Sequence, residues 1–266
     1  MGLLDELKQQ ADALRLKQQQ SEEKLGRQLQ LAHAKLSETL RYWITLFDSL
    51  NVIRPSIARC YFLDGGSVRL DNLMQRDYAV NGRRATRDHR DYIEAVVLRF
   101  RCAAERKVTI EKQGDRLVQQ MRDYLWMNNL RFDIKEIRNE RGYVERGIFT
   151  LNCEVPVMIN IAADLEKSQI AVITANFETL GKYEYYYDYD EFGNEILEEI
   201  AKAILGKPNA FRTLGRYQQA MRVTPTRVAH REIDDSAQPQ PLQTGPDHAG
   251  DPARGFVGNL NPILKR

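Results

Sequence analysis

The chain reads as an α+β protein: a long N-terminal amphipathic helix, an antiparallel β-sheet of several short strands covered by two helices, and a disordered C-terminal tail. Three observations predict this. Apolar residues step by three and four through the first fifty positions, the period shifts between two and 3.6 from residue 57 to 205, and beyond Val223 no period survives among scattered prolines.

The helical ladder comes first. Leu25, Leu29, Ala32, Leu36, Leu40, Trp43, Phe47 and Leu50 share one helical face, and Pro55 stops the helix near Asn51. Upstream, Leu3, Leu7, Ala11 and Leu14 form a second ladder, separated from the first by Gln18 and Ser21. A helix over residues 3 to 50 is about 72 Å long at ~1.5 Å per residue, whereas a body of ~150 residues is some ~40 Å across. Its first twenty residues are therefore expected to protrude. The doubled four-residue step from Ala32 through Leu36 to Leu40 departs from a heptad, which suits packing on the chain's own body.

Strand signals follow. Ile57 to Leu63 is a strand, Asp64-Gly65-Gly66-Ser67 a turn, and Asn81-Gly82 reads as a hairpin turn. Tyr92 to Cys102 alternates, and Val108 to Glu111 extends the β region; whether 57 to 111 shares the main sheet stays open. Leu117, Met121, Tyr124, Leu125 and Asn128 predict a helix over 113 to 130. Phe132 to Arg138 and Tyr143 to Glu154 flank the turn Asn139 to Gly142, and Val157 to Ala163, Ile170 to Phe177 and Tyr183 to Tyr189 supply further strands. Pro156 predicts an edge, a bulge or a corner. A helix starting at an Asn194 cap runs on Ile196, Leu197, Ile200, Ala203 and Ile204 to Gly206 and Pro208.

These elements divide the chain into the long helix at 1 to 53, an α+β domain at 54 to 210, a basic, partly helical connector at 211 to 232, and a disordered linker at 233 to 266. The linker ends in an apolar peptide containing Phe256, Val257, Leu260, Ile263 and Leu264. Charge alternates along the chain: residues 54 to 146 carry 20 basic and 14 acidic side chains, and residues 147 to 206 carry 3 and 11. Neighbouring strands and helices of opposite charge can pair, or a patch can face a charged partner. Cys60, Cys102 and Cys153 form no CxxC pair and suit buried thiols in a reducing compartment. No apolar run reaches the ~20 residues of a membrane span, which together with Asp5 and Glu6 near the start predicts a cytoplasmic protein.

Motifs for catalysis are absent: there is no GxSxG, HExxH, phosphate-cradling glycine loop or paired Cys-His spacing. No catalytic residue, cofactor or metal ligand is assigned. The expected function is protein interaction or adaptor activity, by self-association or partner pairing through Leu3, Leu7 and Leu14 and through the terminal peptide Phe256, Leu260, Ile263 and Leu264. An alternative is a nucleic-acid-associated module whose polyanion-binding residues are Arg83, Arg84, Arg87 and Arg90 within an Arg-rich hairpin spanning 83 to 107. A further surface, Tyr185 and Tyr187 with Asp188 and Asp190, could take a basic partner, against the plainer reading of a tyrosine face packed beneath a helix. A small-ligand pocket or enzyme site between sheet and helices completes the set.

Overall fold

The computed structural model describes residues 2–87 and 89–218. Helix α1, Leu3–Ile53, is followed by β1 (Ala58–Leu63), a 3-10 turn at Asp64–Gly66, β2 (Val68–Arg87) and β3 (Arg90–Gln113). Then come α2 (Asp115–Met127), β4 (Phe132–Arg138), β5 (Val144–Asp164), β6 (Gln169–Ala175) and β7 (Lys182–Asp188). The described chain ends with α3 (Asn194–Ile204), the short α4 (Phe211–Leu214) and β8 (Arg216–Gln218). The apolar terminal peptide lies outside the described residues.

All eight strands join one antiparallel sheet in the order β1-β2-β3-β5-β6-β7-β8, with β4 pairing the first half of β5. The 57 to 111 region therefore shares the main sheet. Register places Leu98, Phe100 and Cys102 of β3 opposite Ile159, Val157 and Val155 of β5, and Ile161 opposite Val172 of β6. Directly paired residues face the same way, so these buried side chains make one apolar face. Helices α1, α2 and α3 bury their own apolar residues in the same core: Leu36, Trp43 and Phe47; Val118, Met121 and Leu125; Ile196, Leu197 and Ile200.

The sheet curls around these helices. The Tyr61 hydroxyl on β1 donates to the carbonyl of Asn176, 2.9 Å away, in the β6–β7 connection. A flat sheet would separate β1 from β6 by about 19 Å, at ~4.8 Å per strand spacing, beyond the reach of one tyrosine. Asn176 holds the closed edge together. Its Nδ2 donates to the carbonyls of Asn128 (2.7 Å) and Pro156 (3.1 Å), and its Oδ1 accepts from the Gly181 amide at 3.1 Å. With φ 53° the residue also occupies the left-handed region, which asparagine tolerates better than most.

Two sequence expectations change. Asn81-Gly82 is not a turn: both lie inside β2, opposite Val97 and Val96, and the hairpin reverses after Arg87 and before Arg90. The glycine serves packing, because a Cβ on Gly82 would lie 2.9 Å from Cδ2 of Leu40. Pro156 sits within the unbroken strand β5, paired with Arg101 of β3. On the other side β4 ends at Leu151 and β6 begins at Met158, leaving a gap where the missing N–H has no ladder to serve. It is a local edge. Asn194, expected as the cap of α3, is instead its first helical residue; the capping position belongs to Gly193 and has no side-chain cap.

Replacing Asn176 by alanine strands two carbonyls and one amide at the closed edge and should cost about 2–4 kcal/mol. Urea unfolding is expected to show a lower midpoint with an unchanged slope. A midpoint within error of the parent would remove Asn176 from this role.

Candidate protein interface

Helix α1 has two halves with different surroundings. From the C-terminal end, Leu50, Phe47, Trp43, Leu36 and Ala32 are buried, and Asn51 exchanges two hydrogen bonds with the backbone of Tyr78 at 2.9 and 3.2 Å. Further along, His33 Nδ1 accepts from the Ile93 amide at 2.9 Å, and Gln28 donates to Ser168 in the β5–β6 turn. There the body ends. Every side chain from Leu7 to Leu25 is exposed, including Leu7 at 55%, Leu14 at 68% and Leu25 at 40%. Leu25, expected to begin the packed seam, thus belongs to the free half; the body begins just beyond it.

The free half extends by about 35 Å, at ~1.5 Å per residue over residues 3 to 25. Its local support is exposed and weak: Arg15 pairs with Asp12 at 3.7 Å, Arg27 with Glu23 at 3.9 Å, and Gln18 donates to Glu22 at 3.2 Å. Such pairs contribute roughly 0.2–0.5 kcal/mol each, and helices in proteins owe most of their stability to packing of an apolar face. Leu7, Ala11, Leu14 and Leu25 lie on the same face that Leu36, Trp43 and Phe47 turn toward the sheet. Beyond the body nothing among the described residues covers that face.

The other sequence candidates have different fates. Arg83 pairs with Glu94 at 2.5 Å, whereas no carboxylate among the described residues pairs with Arg84, Arg87 or Arg90, all exposed near the β2–β3 reversal. Farther down the hairpin Arg101 is held by Asp77 and Glu154, and Arg106 by Asp71. Tyr185 and Tyr187 are core residues, 4% and 1% exposed, so they are not the surface for a basic partner that their composition allowed. Tyr187 stacks near Phe192 with centroids 5.7 Å apart and donates to the Phe211 carbonyl at 3.3 Å. Burial raises its hydroxyl pKa. Asp188 accepts from Gln169 Nε2 at 2.8 Å and Asp190 is exposed.

The space between sheet and helices is filled by the apolar core. A surface groove of about 240 Å³ opens between α1 and α3, lined by Lys35, Glu38, Thr39, Phe192, Gly193, Asn194 and Leu197. Lys35 Nζ is already committed to the Phe192 carbonyl at 3.0 Å. Among the described residues no three His, Cys, Asp or Glu side chains converge as metal ligands, and no helix is long and apolar enough to cross a membrane. Comparison with protein-family models, curated proteins and solved structures finds no significant match to this chain.

All three cysteines are free thiols, with Cys102 and Cys153 buried and Cys60 partly exposed. Burial pushes the Cys102 thiol up to about 11, against smaller lowering effects of the Tyr61 hydroxyl and Arg59. A thiol is reactive as thiolate, so Cys102 should be inert at neutral pH. Native protein titrated with a disulfide reagent should react rapidly at Cys60 alone, and at all three sites in denaturant. Fast modification of Cys102 in the folded chain would contradict the packing described here.

Proposed function

We propose that the chain is a protein-interaction module, with the free half of α1 as its docking element and the α+β body as the anchor that holds it. The exposed stripe of Leu7, Leu14 and Leu25 on a helix clear of its own domain carries this reading. Scattered exposed leucines are ordinary, but several aligned on one helical face with no partner among the described residues fit recognition by another helix. The body is fixed along the whole C-terminal half of α1, from Leu50 to Gln28. Adaptor activity and a second contact through the terminal peptide extend the same reading.

Leu7→Glu combined with Leu14→Glu tests it, because both side chains are exposed and the body should keep its stability within about 0.5 kcal/mol. Sedimentation of the purified full chain and affinity capture from cell extract should each be compared between parent and variant. The stripe is expected to drive association in at least one of them, and the variant to lose it. Identical sedimentation and an identical captured set would sink the reading.

A second reading is favoured by Arg84, Arg87 and Arg90, which lack acidic partners among the described residues and crowd one hairpin end. Three such guanidinium groups suit phosphate contacts. Retardation of RNA or DNA at about 50 mM salt should then weaken with rising salt, and weaken further in the triple alanine variant. If nothing is retarded at that salt, this reading is removed.

A further inference from the structure

The free stripe has a chemistry that selects its occupant. Leu7, Leu14 and Ser21 are seven apart, as are Ala11, Gln18 and Leu25, so the exposed half follows a heptad. The flanking positions of that heptad carry Lys8, Arg15, Lys17 and Lys24 against the single acid Glu22. Asp12 and Glu23 lie on the opposite side of the helix, away from the stripe. All of these side chains are exposed. An apolar seam between basic rims is complementary to a helix with an apolar seam between acidic rims.

The hairpin of β2 and β3 lengthens one basic rim. Gly82 of β2 lies beneath Leu40, and two residues on, Arg84 pairs with Ile93, whose amide binds His33. The hairpin thus runs alongside α1 toward its free end. Arg87 and Arg90 terminate it, exposed, beyond the contacts that Ile93 and Tyr92 make with His33.

A second copy of this chain fits poorly. The stripe continues the face that rests on the sheet, so a parallel, in-register copy would drive its own residues 32 to 50 into the space that the body occupies. An antiparallel copy avoids that collision. Pairing Leu7 with Leu25, however, buries Gln18 against Leu14 on both chains and brings Arg15 to Arg15 and Lys17 to Lys17 across the two-fold axis, so that the two Lys8–Glu22 pairs of the same register only offset the repulsion and leave the buried glutamines uncompensated. Both arrangements carry a defined penalty.

We infer that the free half of α1 docks an amphipathic helix of a different protein, with acidic residues flanking its apolar seam. This rests on the interaction reading above and names the partner's chemistry. Two synthetic 21-residue helical peptides test it, identical in their leucine seam, one with glutamates and the other with lysines at the flanking positions. Fluorescence anisotropy with the full chain should show the glutamate peptide binding, and the lysine peptide at least about tenfold weaker, the combined effect of several flanking pairs. The chain carrying Lys8→Glu, Arg15→Glu, Lys17→Glu and Lys24→Glu should reverse that order, with circular dichroism confirming that α1 remains helical. Binding of neither peptide, equal binding of both, or a homodimer abolished by Leu7→Glu/Leu14→Glu would overturn the inference. If neither peptide binds while extract capture still depends on those leucines, the inference fails and the interaction reading stands.

Discussion

Closure of the curled sheet at Asn176 is the constraint on which the rest of the body depends. A buried amide that satisfies two carbonyls and an amide N–H joins the end of α2, the gap in β5 and the β6–β7 connection at one point. The Tyr61 hydroxyl brings the sheet's first strand to the same place through the Asn176 and Phe177 carbonyls. Each of these groups would be costly to bury unpaired, so together they favour one curvature over the many that apolar packing alone would accept. Curvature in turn gives the sheet a concave face broad enough for three helices.

That arrangement determines what α1 can do. Its C-terminal half fills the concavity with Trp43 and Phe47, which stack edge to face at 5.6 Å, and Phe47 continues onto Tyr78 at 5.2 Å. Where the sheet ends, at the β5–β6 turn, the helix loses its support but not its face. One amphipathic surface therefore serves two purposes along a single element, core for about half its length and open stripe for the remainder. Charged residues border the open part without shielding it.

Much of this was legible in the sequence because periodicity reports burial. Ala32, Leu36, Trp43, Phe47 and Leu50 occupy the predicted seam and are buried, and β4 has the bounds that its composition suggests. The tyrosine strand follows its plainer reading, since alternation sends Tyr185 and Tyr187 beneath Phe211 of α4 and Phe192, just before α3. Local rules failed where a distant partner decided the outcome. Gly82 carries the strongest hairpin signature yet exists to admit Leu40; Pro156 kept to its edge rule, but the gap between β4 and β6 that makes it an edge is set by pairing its own neighbours do not announce. Asn176 had no signature at all, because three of its partners come from Asn128, Pro156 and Tyr61, far away in the chain. Of the candidate interface, Leu7 and Leu14 were visible as a ladder; the basic rims gain meaning only once the body-facing side of the helix is known.

The free half of α1 also needs to be helical before anything docks on it, and its composition addresses that need. Nucleation is the costly step of helix formation, and here the packed half supplies the nucleus, leaving only propagation toward Leu3. From Leu3 to Glu38 there is no proline and no β-branched residue, and leucine, alanine, glutamine, glutamate, lysine and arginine predominate, all strong helix formers. Gly26 is the exception, at the point where the helix leaves the body, and no neighbouring atom lies close enough to demand a glycine there. It weakens propagation by about 1 kcal/mol at the boundary between the two halves. The body thus presents a stripe that is largely preordered, so a helix docking there, as proposed above, would not have to supply the entropy of folding α1.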